Sequence, residues 1–542
     1  MCGFLVFQGP KKDFAQFETA LEKLKARGPD ETRIFSEPSI TMGFHRLAIM
    51  GLTPSGGQPF HTQNWSVVCN GEIYNFQEIK KQTASFTYQS ESDCEVLLPL
   101  LETKSIADIT SQLDGEYAFV AWQRSSKKIV AARDPMGIRP LFWGIDQQGR
   151  YGFASEAKAL CQHFKDIAPF PPGHYFDGEK LLSFCDLAAV KDQTASLKDY
   201  YFNGAPTQKM AALLKPVREL LSAAVVKRLH SDAPLGALLS GGLDSSLVCS
   251  IAMKHLKAAG RPPLKTFAIG MDRDPIDLRY AREVADAIGS DHTEIIMTQK
   301  DILSILRKVI WHLETWDITT IRASIGMFFI CQKIRETTDL KVLLTGEVSD
   351  ELFGYKYTDF APSNDEFQAE AAKRVRELYL YDVLRADRCL SGNSLEARVP
   401  FSDTEFVKTV MALPAELKRN HYGHGKFLLR EAFREGDYLP TALLMREKAA
   451  FSDAVGHSLV DTLKAYAAEV NSEEDLKKAK TLYPHGTPFT LESLLYRQIF
   501  EEFYPGRSSW IPDFWMPNKT WQNCNVNDPS ARVLPNYGLS GQ

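Results

Sequence analysis

The first 185 residues alternate short apolar runs with Gly, Pro and Asn breaks. Runs such as CGFLVF, ITMGFHRLAIMG, WSVVCNGEIYN, EYAFVAWQ and KKIVAARD are typical of short β-strands. Apolar residues recur at helical spacing in two places, residues 12–26 and residues 93–101. The pattern therefore predicts a sheet-dominated domain over residues 2–185, with two helices.

The pattern changes after a mixed polar stretch at residues 186–210, which we predict to be a linker. PLGALLSGG, LKTFAIGM, TEIIM and LKVLLTG are predicted strands, and DSSLVCSIAMKHLKAAG and DLRYAREVADAIG are predicted helices. Nearly all-apolar strands that alternate with helices predict a parallel sheet covered on both faces.

Helical periodicity dominates from about residue 367 to residue 503. We therefore predict that residues 211–515 form an α/β domain with a helical C-terminal part. Residues 516–542 are rich in Asn, Pro and Ser and have no periodicity, so we expect a loosely ordered tail.

Length and composition agree with this division. A chain of 542 residues exceeds what one hydrophobic core organises. The formal net charge of −5 gives no electrostatic reason to expect nucleic acid or an anionic membrane as a partner. Apolar runs fall far short of the roughly 20 residues that span a bilayer. The nine cysteines contain no CxxC pair and support neither a zinc site nor a disulfide framework. We expect a cytoplasmic protein.

The N-terminus offers a candidate nucleophile. Met1 precedes Cys2, and the small residue at position two favours removal of the initiator methionine. The freed α-amine would titrate near ~7.7–8.0, and could therefore act as the base for the Cys2 thiol. A cysteine that merely happens to lie at position two is the simpler alternative when this residue is taken alone.

Nearby polar residues suit a glutamine ligand. Arg46 suits the α-carboxylate through a bidentate fork. Glu72 and Asp93 suit the α-ammonium, and Asn70 and Gly71 suit an oxyanion hole. Each residue alone is more simply a turn former or a surface charge, but the set favours a binding site.

Leu238 begins the strongest single motif, LLSGGLDSS, which lies between a predicted strand and a predicted helix. Its glycines leave backbone N–H groups free to face one concavity, and its serines add hydroxyl donors. An isolated SGG is more simply a turn that caps a helix, but its place after a buried strand favours phosphate binding. The predicted phosphate-binding residues are Ser240, Gly241, Gly242, Ser245 and Ser246.

Asp244 would repel phosphate unless a cation lies between them, and Mg²⁺ is the natural choice. A second acidic cluster, TGEVSDE, follows the last predicted strand. Because ligands of open α/β sheets bind at the carboxyl ends of the strands, both clusters should face one crevice. Asp350 is the candidate second metal ligand, and Glu347 is a candidate for acid–base work or for binding an amine.

The N-terminal motifs resemble those of the class II glutamine amidotransferases. They are MCG, RGPD, HRL, GGQP, NGEIYN, SDCEV, LDGEYAFV, RDPMGIRPL and SEAKAL. The resemblance implies a four-layer αββα sandwich of the N-terminal-nucleophile (Ntn) hydrolase type, with Cys2 as nucleophile. It also implies that glutamine is held by Arg46, Leu47, Ile49, Asn70, Gly71, Glu72 and Asp93.

The SGGLDSS loop resembles that of the ATP pyrophosphatases. Joined to the N-terminal domain, and with ETWDITTIRAS, GEVSDELFG, SLEARVPFSD and REKAAFSDAVG, it is similar to the asparagine synthetase family. That resemblance implies glutamine, aspartate and ATP as substrates, Mg²⁺ as cofactor, and a homodimer. Leu238, Ile269, Thr345 and Gly346 would border AMP. Arg322 and Lys448 would neutralise phosphate charge, and Arg322 and Glu347 would serve the aspartate and its acyl-adenylate.

One position departs from the family pattern. Val348 stands where glycine is expected, and because a β-branched residue does not readily adopt φ > 0, we expect an extended backbone there or a shifted loop. Two alternatives to asparagine synthesis stay open. One is a related amidotransferase acting on another carboxylic acid, and the other is a non-catalytic homologue acting as a sensor.

Overall fold

The computed structural model describes residues 1–189, 199–202, 205–271, 276–421, 423–447 and 457–537. The N-terminal half contains twelve strands and four helices in the described ranges. The strands are β1 Gly3–Gln8, β2 Glu31–Glu37, β3 Ile40–Arg46, β4 Phe60–His61, β5 Trp65–Ile73, β6 Gly115–Gln123, β7 Lys128–Arg133, β8 Phe142–Ile145, β9 Tyr151–Ala154, β10 Asp166–Pro169, β11 His174–Phe176 and β12 Leu181–Ser183. The helices are α1 Phe17–Glu22, α2 Phe76–Gln82, α3 Leu97–Thr103 and α4 Ile106–Gln112.

These strands form two six-stranded antiparallel sheets, in the orders β10-β8-β9-β1-β3-β2 and β12-β11-β7-β6-β5-β4. Successive side chains of a strand point to opposite faces. In β1, Phe4 and Val6 pack in the core between the two sheets. Leu5 and Phe7 instead pack with Phe17 of α1 in the outer core. The second sheet packs its outer face on α3. The predicted four-layer αββα sandwich is confirmed.

The first predicted helix is shorter than expected. The sequence pattern favours one helix over residues 12–26, but α1 covers only Phe17–Glu22, between 3₁₀ turns at Lys11–Asp13 and Lys25–Arg27. Gln16 adopts φ 64°, which a continuous helix does not allow. Similarly, residues 93–101 begin as a 3₁₀ turn at Asp93–Val96 and continue as α3.

The C-terminal half begins with a small hairpin and a long helix. Its strands are β13 Tyr201–Phe202, β14 Ala205–Pro206, β15 Leu235–Leu238, β16 Lys265–Met271, β17 Asp291–Met297, β18 Val342–Leu344 and β19 Glu396–Arg398. Its helices are α5 Gln208–Lys227, α6 Leu243–Ala258, α7 Ile276–Ile288, α8 Gln299–Leu313, α9 Ile318–Thr337, α10 Ser349–Phe353, α11 Asn364–Glu377, α12 Asp382–Ser391, α13 Thr404–Ala412, α14 Ala415–Lys418, α15 Phe427–Ala432, α16 Thr441–Leu444, α17 His457–Val470, α18 Glu473–Leu482 and α19 Leu491–Phe503.

Five of these strands form a parallel sheet in the order β17-β16-β15-β18-β19. The chain runs outwards from β15 to β17 on one side and returns to β18 and β19 on the other. The strand order therefore reverses between β15 and β18, the point at which open α/β sheets bind ligands. The predicted parallel-sheet domain with a helical C-terminal part is confirmed. The strand β19 was not predicted, because it lies within the stretch of helical periodicity.

The segment after α19 is more ordered than its composition suggests. Trp521, Cys524 and Leu534 are buried in one cluster with Tyr357 and Phe367. Residues 516–537 thus pack against the domain, and residues 538–542 lie outside the described part. Of the helices in the described ranges, none combines the length and hydrophobicity that crossing a bilayer requires.

Buried ion pairs join the two halves. Arg388 of α12 lies 2.7 Å from Glu156 of the N-terminal half and 2.9 Å from Glu314 of its own half. Arg398 of β19 lies 3.0 Å from Glu72 of β5. Because unpaired buried charges are costly, these pairs fix how the halves meet.

We predict that Arg388→Leu lowers the free energy of unfolding by about 3–5 kcal/mol, because it removes a buried cation that the buried carboxylates of Glu156 and Glu314 share. Arg376→Leu is the control. Its ion pair with Asp186 is 2.9 Å long, but the Arg376 side chain is 52% exposed. An exposed pair is worth about 0–1 kcal/mol. Urea-induced unfolding measures both variants, and equal stabilities would contradict the prediction.

Two candidate active sites

Cys2 lies directly before β1 and lines a cavity of about 30 Å³. Its Sγ lies 3.7 Å from the carbonyl oxygen of Leu47. The structure brings most of the predicted glutamine site to this cavity: Arg46, Leu47, Ile49, Gly71, Glu72 and Asp93 all line it. Residues that are up to 91 positions apart in sequence thus surround the thiol.

Asn70 lies beside this cavity in β5. It is completely buried, and neither polar atom of its side-chain amide has a hydrogen-bond partner in the described part of the chain. A buried amide without a partner is rare in native proteins, and often has a ligand or functional role. The next residue, Gly71, approaches β6 so closely that a Cβ atom would lie 2.3 Å from the carbonyl oxygen of Glu116.

The charged residues of this cavity already have protein partners. Arg46 donates hydrogen bonds to the carbonyl oxygens of Thr53, at 2.7 Å, and of Gly51. Asp93 accepts one from the backbone N–H of Ile73 at 2.7 Å, and burial raises the Asp93 pKa to about 6. Burial also raises the pKa of Glu72, although its partner Arg398 opposes that shift. The carboxylates are therefore poised to gain from a cationic ligand.

Met1 is fully buried ahead of Cys2 in this unprocessed chain. Its sulfur accepts hydrogen bonds from Arg139, at 2.8 Å, and from Arg27, at 3.6 Å. Burial raises the pKa of the Cys2 thiol to about 11. A thiol with that pKa is almost entirely protonated at neutral pH and is a weak nucleophile.

The second site lies where the parallel sheet reverses its strand order. A cavity of about 210 Å³ opens there, between the loop after β15 and the loop after β18. Of the predicted ATP, aspartate and metal residues, those that line it are Leu238, Ser240, Gly242, Asp244, Ser245, Ile269, Thr345, Gly346, Glu347 and Asp350. Gly241 and Ser246 lie in the same loop and helix but do not line the cavity.

The SGG loop forms the turn that the motif predicts. Gly241 adopts φ 70° within 2.7 Å of the Ala281 backbone nitrogen, measured from where a Cβ would lie. No other residue fits there without strain. The Ser240 and Ser245 hydroxyls lie 3.0 Å apart, and α6 begins directly after the loop. Backbone N–H groups and hydroxyls thus converge at the start of a sixteen-residue helix.

A lysine joins the two predicted metal ligands. The Lys426 ammonium lies 2.8 Å from both carboxylate oxygens of Asp244 and 2.6 Å from Asp350. Ser349 donates a further hydrogen bond to Asp244 at 2.6 Å. The two carboxylates therefore face a common point that accommodates positive charge, and carboxylate pairs are the ligands that Mg²⁺ prefers.

Glu347 faces the cavity beside this cluster. Its carboxylate accepts a hydrogen bond from Arg385 of α12 at 2.5 Å. Burial raises the Glu347 pKa to about 7, against the lowering effect of Arg385, and nearby Asp382 adds to the rise. A carboxyl group that titrates near neutral pH is suited to proton transfer.

The expectation of an extended backbone at Val348 is wrong. Its φ is 81°, in the left-handed region, so the position is not extended. The side chain is buried with Leu352 and Phe353. The backbone conformation expected for glycine is therefore kept, at a cost on the order of 1–3 kcal/mol.

Arg322 is the predicted residue that the structure places elsewhere. Its guanidinium is buried and forms ion pairs with Glu492, at 2.5 Å, and Asp528, at 2.7 Å. It does not line the cavity that contains Glu347. The sequence could not show this, because both partners are more than 150 positions away. Lys448 lies outside the described residues.

Comparisons with known proteins match each half of the chain to a known domain. The glutamine amidotransferase domain model matches residues 1–176, and the asparagine synthase model matches residues 216–372 and 359–528. The glutamine-hydrolyzing asparagine synthetase of Gallus gallus is 40% identical over 569 residues, covering 99% of each chain. Those of Bos taurus and Homo sapiens are 39% identical over 562 residues with the same coverage.

This chain belongs to the asparagine synthetase family. Among solved structures, a glutamine phosphoribosylpyrophosphate amidotransferase from B. subtilis covers 55% of this chain and 81% of its own. Its TM-score of 0.30 and identity of 16% are too low to support an argument about function.

Three buried residues near the two sites were not expected from sequence. They are Lys426, Arg385 and Glu396, and the last lines the Cys2 cavity from β19 of the other half. Arg385 and Lys426 lie outside the motifs quoted above, whereas Glu396 lies within SLEARVPFSD. That motif does not indicate which cavity Glu396 reaches, and only the fold places the three residues beside the two sites.

We predict that the active protein lacks Met1, because a retained Met1 crowds the nucleophile and converts the α-amine of Cys2 into a non-basic amide. The intact mass of protein purified from cells should correspond to a chain that begins at Cys2. Fully glutaminase-active protein whose mass includes Met1 would contradict this prediction.

Proposed function

We propose that this protein catalyses glutamine-dependent, ATP-driven conversion of aspartate to asparagine. The observation that supports it best is the pairing of two separate sites in one chain. One joins an N-terminal cysteine to the buried amide of Asn70, which has no partner among the described residues. The other joins an SGG phosphate loop to a cluster of carboxylates. The family comparisons point to the same activity.

Glutamine hydrolysis would take place at Cys2. The sulfur attacks the amide carbon of glutamine, the carbon–nitrogen bond breaks, and ammonia leaves with the proton taken from the thiol. The α-amine of processed Cys2 transfers that proton. Asn70 and the Gly71 N–H stabilise the oxyanion of the tetrahedral intermediate. Water then hydrolyses the thioester, which releases glutamate and restores the thiol.

Aspartate would be activated in the larger cavity. An oxygen of its β-carboxylate attacks the α-phosphorus of ATP, and the bond to pyrophosphate breaks, which yields β-aspartyl-AMP. Ser240, Ser245 and the N–H groups at the start of α6 would hold the pyrophosphate. Asp244 and Asp350 would hold Mg²⁺, whose charge would neutralise phosphate oxygens.

Ammonia then attacks the activated carbonyl carbon, and AMP leaves with the electron pair of the carbon–oxygen bond. Glu347, whose pKa is near 7, would accept the proton that the attacking nitrogen loses. Passing ammonia internally would keep it from protonation in water. β19 supports such transfer, since Glu396 lines the Cys2 cavity and the Arg398 carbonyl accepts a hydrogen bond from the Thr345 N–H at 3.0 Å.

We also propose a cytoplasmic homodimer. All nine cysteines are free thiols, which suits a reducing compartment. The homodimer rests on the family resemblance alone, and size-exclusion chromatography with light scattering would test it.

We predict that Cys2→Ala lowers glutamine hydrolysis by at least roughly a thousandfold, because the nucleophile is lost. Asparagine formation from added ammonium salt should persist, since the second site needs no thiol. The matched control is Cys161→Ala, which should retain both activities. Loss of both activities in folded Cys2→Ala protein would contradict the two-site mechanism.

We predict that Asp244→Asn slows synthesis on the order of several hundredfold, because it removes a charge that would hold Mg²⁺ against phosphate. Glu347→Gln should be comparably impaired, since an amide cannot accept the ammonia proton. Glutaminase activity should survive in both variants. The assay measures pyrophosphate and glutamate release side by side.

Asp461→Asn is the control for these two variants, because the Asp461 side chain is 67% exposed on α17. It should behave like the wild type. Near-normal pyrophosphate and asparagine formation by Glu347→Gln would show that Glu347 is not the catalytic group.

A further inference from the structure

Arg385 is a buried cavity residue that the proposed mechanism does not use. It lies in α12, is 6% exposed, and lines the cavity beside Glu347. Its Nη2 atom forms both of its ion pairs, at 2.5 Å to Glu347 and 2.8 Å to Asp382. Its Nε atom is buried and has no hydrogen-bond partner among the described residues. The guanidinium therefore has donor capacity that the protein leaves unused.

The other cationic side chains that line the cavity, within the described ranges, are engaged elsewhere. Lys426 lies between Asp244 and Asp350, at the phosphate end. Arg430 donates to backbone carbonyl oxygens, including that of Gly425 at 2.7 Å. Lys356 forms an ion pair with Glu447 at 3.2 Å. Arg385 is thus the guanidinium available near the acid–base group.

Aspartate, the proposed acceptor of ammonia, needs a cationic side chain of this kind in the cavity. Aspartate reacts through its β-carboxylate, which leaves an α-carboxylate that must also be held. Three carbon–carbon bonds join the two carboxyl carbons, so they lie at most about 4 Å apart. Glu347 must lie close to the reacting carbon of the β-carboxylate to accept the ammonia proton. A guanidinium in hydrogen-bond contact with Glu347 is therefore within reach of the α-carboxylate.

We propose that Arg385 binds the α-carboxylate of the acceptor and so determines specificity for aspartate. This inference rests on the proposed function. Arg385 takes the role that the family resemblance implied for Arg322, whose guanidinium is held by Glu492 and Asp528 outside the cavity. Asp382 holds the guanidinium in place through the shared Nη2 atom. The planar fork of arginine suits a carboxylate better than the ammonium of lysine.

The test compares two acceptors that differ only in this group. β-Alanine is aspartate without its α-carboxylate, and it retains the carboxylate that reacts. Pyrophosphate release with ATP gives kcat/KM for each acceptor in the wild type, Arg385→Leu and Arg385→Lys. Arg374→Leu is the matched control, because Arg374 is a buried arginine paired with Glu370 at 2.7 Å and does not line the cavity.

We expect Arg385→Leu to lower kcat/KM for aspartate by roughly a hundredfold or more, and to change that for β-alanine by less than about threefold. Arg385→Lys should raise the KM for aspartate with a smaller change in kcat. Arg374→Leu should keep the wild-type ratio between the two acceptors. Glutamine hydrolysis reports in each variant that the protein is folded.

Equal losses with both acceptors would overturn the inference, because they would mean that Arg385 only orients Glu347. An unchanged aspartate value would overturn it as well. If Arg385→Leu does not fold, the ratio measured for Arg385→Lys decides between the two roles. Failure of the wild type to release pyrophosphate with aspartate would instead overturn the proposed function itself.

Discussion

The buried charges between the two halves are the constraint on which both sites depend. Arg388 and Arg398, from the C-terminal half, are fully buried and contact Glu156 and Glu72 of the N-terminal half. A buried ion pair tolerates little displacement before each charge loses its partner. The ion pairs therefore fix the relative position of the two halves, and with it the relative position of the two cavities.

This arrangement makes the Cys2 cavity a joint product of the two halves. Arg398 holds Glu72, which is one wall of the Cys2 cavity, and Glu396 from the same strand is another. Asp232, just before β15, accepts a hydrogen bond from the Gly51 N–H at 2.8 Å and so supports the loop that follows Arg46. Under the proposed mechanism, ammonia formed at Cys2 would be released into surroundings that the C-terminal half helps to define.

Much of the fold and part of the candidate sites could be predicted from the sequence, because they depend on local patterns of residues. Alternating apolar runs predict the sandwich strands, and SGGLDSS after an apolar run predicts a phosphate loop at the strand reversal. The features that the sequence did not predict depend on contacts between residues that are far apart in the chain. The three residues of β19 include two charged side chains, whose strand conformation is favoured by ion pairs with the other half. The positions of Arg322 and Arg385 relative to the cavity were also not predictable from the sequence. Both are arginines on helices, and only their partners distinguish a structural ion pair from a cavity wall.

Val348 shows how this fold tolerates a residue that is unfavourable for its backbone conformation. Its left-handed backbone lies between Glu347, which faces the cavity, and α10, which carries Asp350. An extended backbone there would redirect the chain and separate these two carboxylates. Burial of the valine side chain with Leu352 and Phe353 offsets part of the backbone strain, since burying a side chain of this size contributes on the order of 1.5–3 kcal/mol. Glycine would relax the backbone but lose that packing. The strained valine and the relaxed glycine are thus two solutions to one requirement, which is to turn the chain so that both carboxylates reach the same cavity.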